Sequence, residues 1–305
     1  MSEAVLLLSA IPADLRAALA ERFALVEDRP GDAPPGLRIA VTMALAGARE
    51  EQFARLPGLR LVVSQGAGLE RIDLAAAARR GIAVAYTPDV MTEDVADAAI
   101  GLMYAAARRV AEADRFVRAG RWARERMGPG ISLHRKAVGI AGLGRIGRAI
   151  ARRCAGLGMD VAWTGPRPKP DQPWPWLPGL RALAERSDVL ILAAPGGAGT
   201  DRMVDAAVLA ALGPRGVLVN VARGSVVDEA ALLDALERKR IAAAGLDVFA
   251  SEPVPDPRFL ALDNVVLAPH SASLTVETRQ ALIARILSDI DAFRDGRPFL
   301  NAAAP

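Results

Sequence analysis

Short apolar runs alternate along the chain with longer segments whose apolar positions recur at helical spacing. That alternation is the pattern of parallel strands joined by crossover helices, so an α/β fold is expected. The first series reads as strand Val5–Leu8, helix Pro12–Glu21, strand Leu37–Val41, helix Arg49–Leu56, strand Leu61–Ser64, helix Leu74–Arg80 and strand Ile82–Ala85. The rhythm then stops. From Thr92 to about Arg118 the only Gly or Pro is Gly101, and the segment reads as one long helix bridging two lobes. The polar stretch Arg121–Arg135, with Gly128-Pro129-Gly130 inside it, reads as loop. A second series opens at Ala137, with strands Ala137–Ala141, Val161–Thr164, Val189–Ala193, Gly216–Val221, Ala243–Asp247 and Val265–Leu267. A last helix, Val276–Phe293, closes the pattern.

Composition narrows the class. The chain's 305 residues are about twice a typical domain. Its 52% apolar content excludes a disordered chain, yet no apolar run approaches a bilayer span. The formal charge is +3, from 38 Lys+Arg against 35 Asp+Glu. The arginines are scattered and the only lysines are Lys136, Lys169 and Lys239, so nothing forms a nucleic-acid stripe. Cys154 stands alone on a helical segment and reads as a packed thiol. With one cysteine and two separated histidines, no metal-ligand cluster is expected. The stretch Met1–Ala4 holds no basic segment ahead of its short apolar run, which argues against a signal peptide and for the cytoplasm.

Chemistry enters at the ends of the strands. Gly142-Leu143-Gly144-Arg145-Ile146-Gly147 follows the strand Ala137–Ala141 directly and opens a helix, the context in which this spacing binds a dinucleotide. The first Gly permits the turn, the second the close approach of pyrophosphate, the third tight packing of helix on strand. Helix-start amides then face the phosphates. An enzyme for NAD places an acid at the end of the next strand, but here that strand runs into Gly165-Pro166-Arg167. Arg167, helped by Lys169, suits a 2′-phosphate, so NADP is expected to be preferred over NAD. Two doubly wound parallel-sheet (Rossmann-like) lobes follow. Residues 1–97 open a substrate-binding lobe, 98–270 form the dinucleotide lobe, and 271–305 return as a helix to cover the first, which is therefore discontinuous.

In such sheets ligands lie beyond the carboxyl ends of the strands. The residues there are Gly66-Ala67-Gly68, whose bare amides suit an anion, then Arg223, then Glu252, then His270. A carbonyl-reducing site near neutral pH most readily uses His as proton donor. His270 stands at the correct end for that role, whereas His134 precedes its strand and reads as a surface or packing residue. A Glu252 carboxylate beside His270 favours the imidazolium, and the planar fork of Arg223 suits a carboxylate with its adjacent carbonyl.

Gly66-Ala67-Gly68, Gly142 to Gly147, Asn220-Val221-Ala222-Arg223-Gly224, Gly245-Leu246-Asp247-Val248-Phe249, Ser251-Glu252-Pro253 and Pro269-His270 together resemble the D-isomer-specific 2-hydroxyacid dehydrogenases. Within that family the chain is most similar to the glyoxylate/hydroxypyruvate reductases. The resemblance implies Arg223, Glu252 and His270 as a catalytic trio reducing a small 2-oxo acid to the D-2-hydroxy acid. It implies the Gly66–Gly68 turn on the substrate carboxylate, and cofactor contacts from Val221, Ala222, Ala272 and, near the nicotinamide end, Asp247. It also implies a homodimer through the cofactor lobe. Two departures stand out: Ser251 where relatives carry an acid, and Pro166 where NADP-preferring members carry the first of two arginines. Two alternatives stay open. One is a corepressor-like, dinucleotide-sensing interaction protein on the same fold; the other is a member acting on a different 2-oxo acid.

Overall fold

A computed structural model describes residues 3–29 and 36–303; Met1 and Ser2, part of the stretch read for a leader, lie outside them. The first elements are β1 (Ala4–Leu7), α1 (Ala13–Ala20), β2 (Ala24–Glu27), β3 (Ile39–Met43), α2 (Glu50–Arg55), β4 (Leu61–Gln65), α3 (Leu74–Arg79) and β5 (Ala83–Tyr86). They build a parallel sheet in the order β2-β1-β3-β4-β5. Continuous apolar runs suit this arrangement, because helices cover both faces of a parallel sheet. Strand β2 escapes the sequence pattern because it sits at the edge with no buried residue.

Next come α4 (Thr92–Ala107), α5 (Val110–Arg118), β6 (Ala137–Ala141), α6 (Arg145–Gly156), β7 (Asp160–Thr164), α7 (Leu180–Arg186), β8 (Val189–Leu192), α8 (Ala206–Leu212), β9 (Val217–Asn220), α9 (Glu229–Glu237), β10 (Ala243–Leu246) and β11 (Val265–Leu267). Their sheet runs β11-β10-β9-β8-β6-β7, again parallel. The helix α10 (Val276–Arg294) follows. The single long helix expected from Thr92 to Arg118 is two. Arg109 takes a left-handed φ of 56° and separates α4 from α5, with its guanidinium on Glu112 at 2.6 Å.

The chain divides into two compact units, 1–91 with 274–305, and 92–273. The sequence suggested 97/98 and 270/271 as the boundaries. All of α4 goes with the second unit because it packs on α6, β9 and β10. Ser271 and Ala272 go there because Asp247 binds their amides. In the first unit, Ile286 and Ile290 of α10 close a core with Val5, Leu7, Ile39, Val41, Leu61 and Val63. Cys154 is fully buried on α6, and burial pushes its thiol up to about 12, which leaves it a packing residue. Among the described residues no helix is long and apolar enough to cross a membrane.

Candidate active site

In the second unit every strand is parallel, so the segments leaving β6, β7, β9, β10 and β11 emerge along one edge of one sheet. After β7 is laid on one side of β6, the next strand, β8, is laid on the other, so the strand order switches between β6 and β8, the position at which open α/β sheets bind ligands. Gly142 leaves β6 there with φ 96°, and a Cβ on it would stand 2.7 Å from the backbone nitrogen of Ala194. A Cβ on Gly147 would overlap the Gly142 carbonyl oxygen. At Gly144, which caps α6, a Cβ would meet nothing within 4 Å. Two glycines are thus demanded by packing and the middle one leaves open space at a helix start, the cradle a pyrophosphate requires.

The loop after β7 is pinned at several points. Trp176 Nε1 donates to the Gly165 carbonyl at 3.1 Å, and Thr164 Oγ1 donates to the Leu177 carbonyl at 2.8 Å. Lys169 Nζ donates to the Leu143 carbonyl at 2.6 Å and lies 5.9 Å from the Trp163 ring centroid. That lysine is therefore clasped to the glycine turn. Pro166 and Arg167 are exposed, and among the described residues nothing takes the Arg167 guanidinium in a hydrogen bond or ion pair.

The three groups expected to do chemistry follow three adjacent strands: Arg223 after β9, Glu252 after β10, His270 after β11. His270 Nδ1 and Glu252 Oε2 are 2.8 Å apart, and the other carboxylate oxygen accepts from the Phe249 amide at 3.0 Å. The carboxylate is held at both ends, and it orients the ring so that Nε2 is left without a hydrogen bond among the described residues. His270 adopts a left-handed φ of 52°. Its backbone N–H donates to the Asp247 carbonyl at 2.8 Å. The Asp247 carboxylate, 1% exposed, accepts from the amides of Ser271 at 2.7 Å and Ala272 at 3.1 Å. Asp247 thereby templates the segment that carries the imidazole. Gly224 completes the cluster: a Cβ there would run into the backbone of Phe249 and Ala250, so the Arg223 segment lies directly against the loop leading to Glu252.

Val221, Ala222 and Ala272 are buried beside these turns, whereas His134 is exposed ahead of β6. In the first unit, the turn after β4 begins at Gly66 with φ 134°, and its N–H donates to Thr87 Oγ1 at 2.8 Å. The neighbouring amides of Ala67 and Gly68 have no partner among the described residues. Sequence reasoning passed over Asn220 as a working residue and gave Asp247 only a place near the cofactor. The available signal was a lone polar side chain closing the apolar run Val217-Leu218-Val219.

Residues 100–272 match the family profile "D-isomer specific 2-hydroxyacid dehydrogenase, NAD binding domain". The chain belongs to this family. It is 48% identical over 267 residues to 2-ketogluconate reductase of Gluconobacter oxydans, covering 88% of this chain and 86% of that one. It is 42% identical to a glyoxylate/hydroxypyruvate reductase A of Arabidopsis thaliana, covering 87% and 85%. Among solved structures, the NADPH-dependent glyoxylate/hydroxypyruvate reductase of Sinorhizobium meliloti in complex with NADP and malonate superposes with a TM-score of 0.93. That protein is 38% identical, with 100% of this chain and 97% of that one covered.

Proposed function

We propose that this chain is an NAD(P)H-dependent reductase of small 2-oxo acids of the glyoxylate and hydroxypyruvate type, working in the cytoplasm. The observation that carries the reading is the Glu252–His270 pair standing, with Arg223, on the same sheet edge as the glycine turn. Gly142, Leu143, Gly144, Arg145, Ile146 and Gly147 hold the pyrophosphate, while Gly165, Pro166 and Arg167 receive the adenosine end. Val221, Ala222, Asp247 and Ala272 line the nicotinamide side. When bound, the dinucleotide supplies a hydride to the carbonyl carbon. Arg223 binds the substrate carboxylate; in the first unit, the Gly66–Gly68 turn offers the Ala67 and Gly68 amides to an anion. As the carbonyl oxygen gains negative charge, His270 Nε2 gives it a proton, and Glu252 holds the ring and balances the positive charge.

Initial rates with NADPH and NADH against glyoxylate, hydroxypyruvate, 2-ketogluconate and a branched 2-oxo acid test this reading. Saturable reduction of one of the first three is expected, and tight NADPH binding with no turnover across the panel would replace it with the sensing alternative. Arg167→Ala is expected to lower the preference for NADPH over NADH by about ten- to a hundredfold, since a charge-assisted hydrogen bond contributes about 1.5–3 kcal/mol. An unchanged ratio of the two kcat/KM values would remove Arg167 from the phosphate site.

A homodimer built through the second unit belongs to the same proposal. It is supported by exposed Val110 and Val117 on α5 and Trp122 in the turn that follows, an apolar surface of the kind that marks a contact site. Light scattering is expected to return twice the chain mass; the mass of one chain would overturn it.

A further inference from the structure

Asn220 is the last residue of β9 and is 1% exposed. Among the described residues, both ends of its carboxamide bond the two residues that lead to the site. Oδ1 accepts from the Ala222 amide at 3.0 Å, and Nδ2 donates to the Arg223 carbonyl at 3.0 Å. One partner is an N–H and the other a C=O, so the orientation of the amide is fixed by its surroundings. A carboxylate would offer two acceptors and repel the Arg223 carbonyl; an aliphatic side chain of the same size would leave the buried Ala222 amide unpaired and the Arg223 carbonyl with only the Val226 amide, at 3.3 Å. The Asn220 carbonyl in turn accepts from the Asp247 amide at 3.0 Å, joining this turn to the strand whose aspartate templates the His270 segment.

Within the turn so formed, Arg223 Nη1 donates to the Ala222 carbonyl at 2.7 Å. The same residue thus receives a bond from Asn220 on its backbone and gives one to its neighbour from its side chain. We infer that Asn220 is a positioning residue for Arg223. It fixes where the guanidinium sits without touching substrate, and a change at this position acts through Arg223. The inference rests on the proposed role of Arg223 in binding the 2-oxo acid.

A double-mutant cycle separates the two. Asn220→Asp, Arg223→Ala and the double variant are compared in kcat and KM for hydroxypyruvate and glyoxylate at saturating NADPH. Asn220→Asp is expected to lower kcat/KM by about tenfold or more in the parent enzyme, the value of one well-placed hydrogen bond. In the Arg223→Ala background the same change is expected to cost no more than about twofold, because the group it positions is gone. An equal penalty in both backgrounds overturns the inference in favour of a general structural role, and so does a harmless Asn220→Asp beside a damaging Arg223→Ala. A harmless Arg223→Ala instead overturns the proposed role of Arg223 itself. If Asn220→Asp gives no folded protein, Asn220→Ser goes through the same cycle, its hydroxyl keeping the Ala222 bond while the Arg223 bond is lost.

Discussion

His270→Ala is expected to lower kcat by about 10²- to 10⁴-fold, the usual contribution of a positioned general acid, with NADPH binding unchanged. The ring does not lie in the glycine turn, and among the described residues its one side-chain partner is Glu252. Removing it takes away the proton source and leaves the cradle at Gly142–Gly147 in place. Glu252→Gln is expected to be damaging but less so. The amide oxygen retains the bond to the Phe249 N–H, while the amide NH₂ faces Nδ1 and favours the ring form with Nδ1 as acceptor. The imidazole then keeps a proton on Nε2 but is neutral, a weaker acid than the imidazolium that a carboxylate favours. Stopped-flow measurement of NADPH oxidation, alongside fluorescence titration of NADPH, checks both variants. Wild-type turnover in His270→Ala would end the assignment of the proton donor.

The site was legible in the sequence to the extent that its chemistry sits at strand ends. A parallel sheet carries all its carboxyl ends on one edge, so Arg223, Glu252 and His270 are brought to a common rim by topology alone. The glycine spacing gave the other half, because Gly142 and Gly147 are demanded by packing and not only by a ligand. What sequence reasoning missed works through backbone. Asn220 and Asp247 direct their side chains at amides and carbonyls of neighbouring turns, and such bonds leave no periodicity. Lys169 likewise serves the glycine turn, although its position in the chain suggested a phosphate. The break at Arg109 falls between two helical stretches with no Gly or Pro to mark it, and is held by the ion pair to Glu112.

Asp289→Asn is expected to stabilise the protein at neutral pH, and by more than any surface change. Asp289 lies on α10 at 2% exposure, and its Oδ2 is buried without a hydrogen-bond partner among the described residues. Burial pushes its carboxyl up to about 6; the nearby charge of Arg285, one turn earlier, opposes the rise without overcoming it. Because the native carboxyl binds its proton more tightly than the unfolded chain does, this group favours the folded state most below the ordinary carboxylate value. That contribution is lost as pH rises through about 6. A rise of about two units corresponds to roughly 3 kcal/mol at pH 8, an upper bound that water near the group reduces. The amide carries no charge to desolvate, so the advantage of the variant should be largest near pH 8 and should vanish near pH 4. Thermal unfolding midpoints of the two proteins across that range give the test. A difference that stays constant with pH would mean that Asp289 does not titrate in this window.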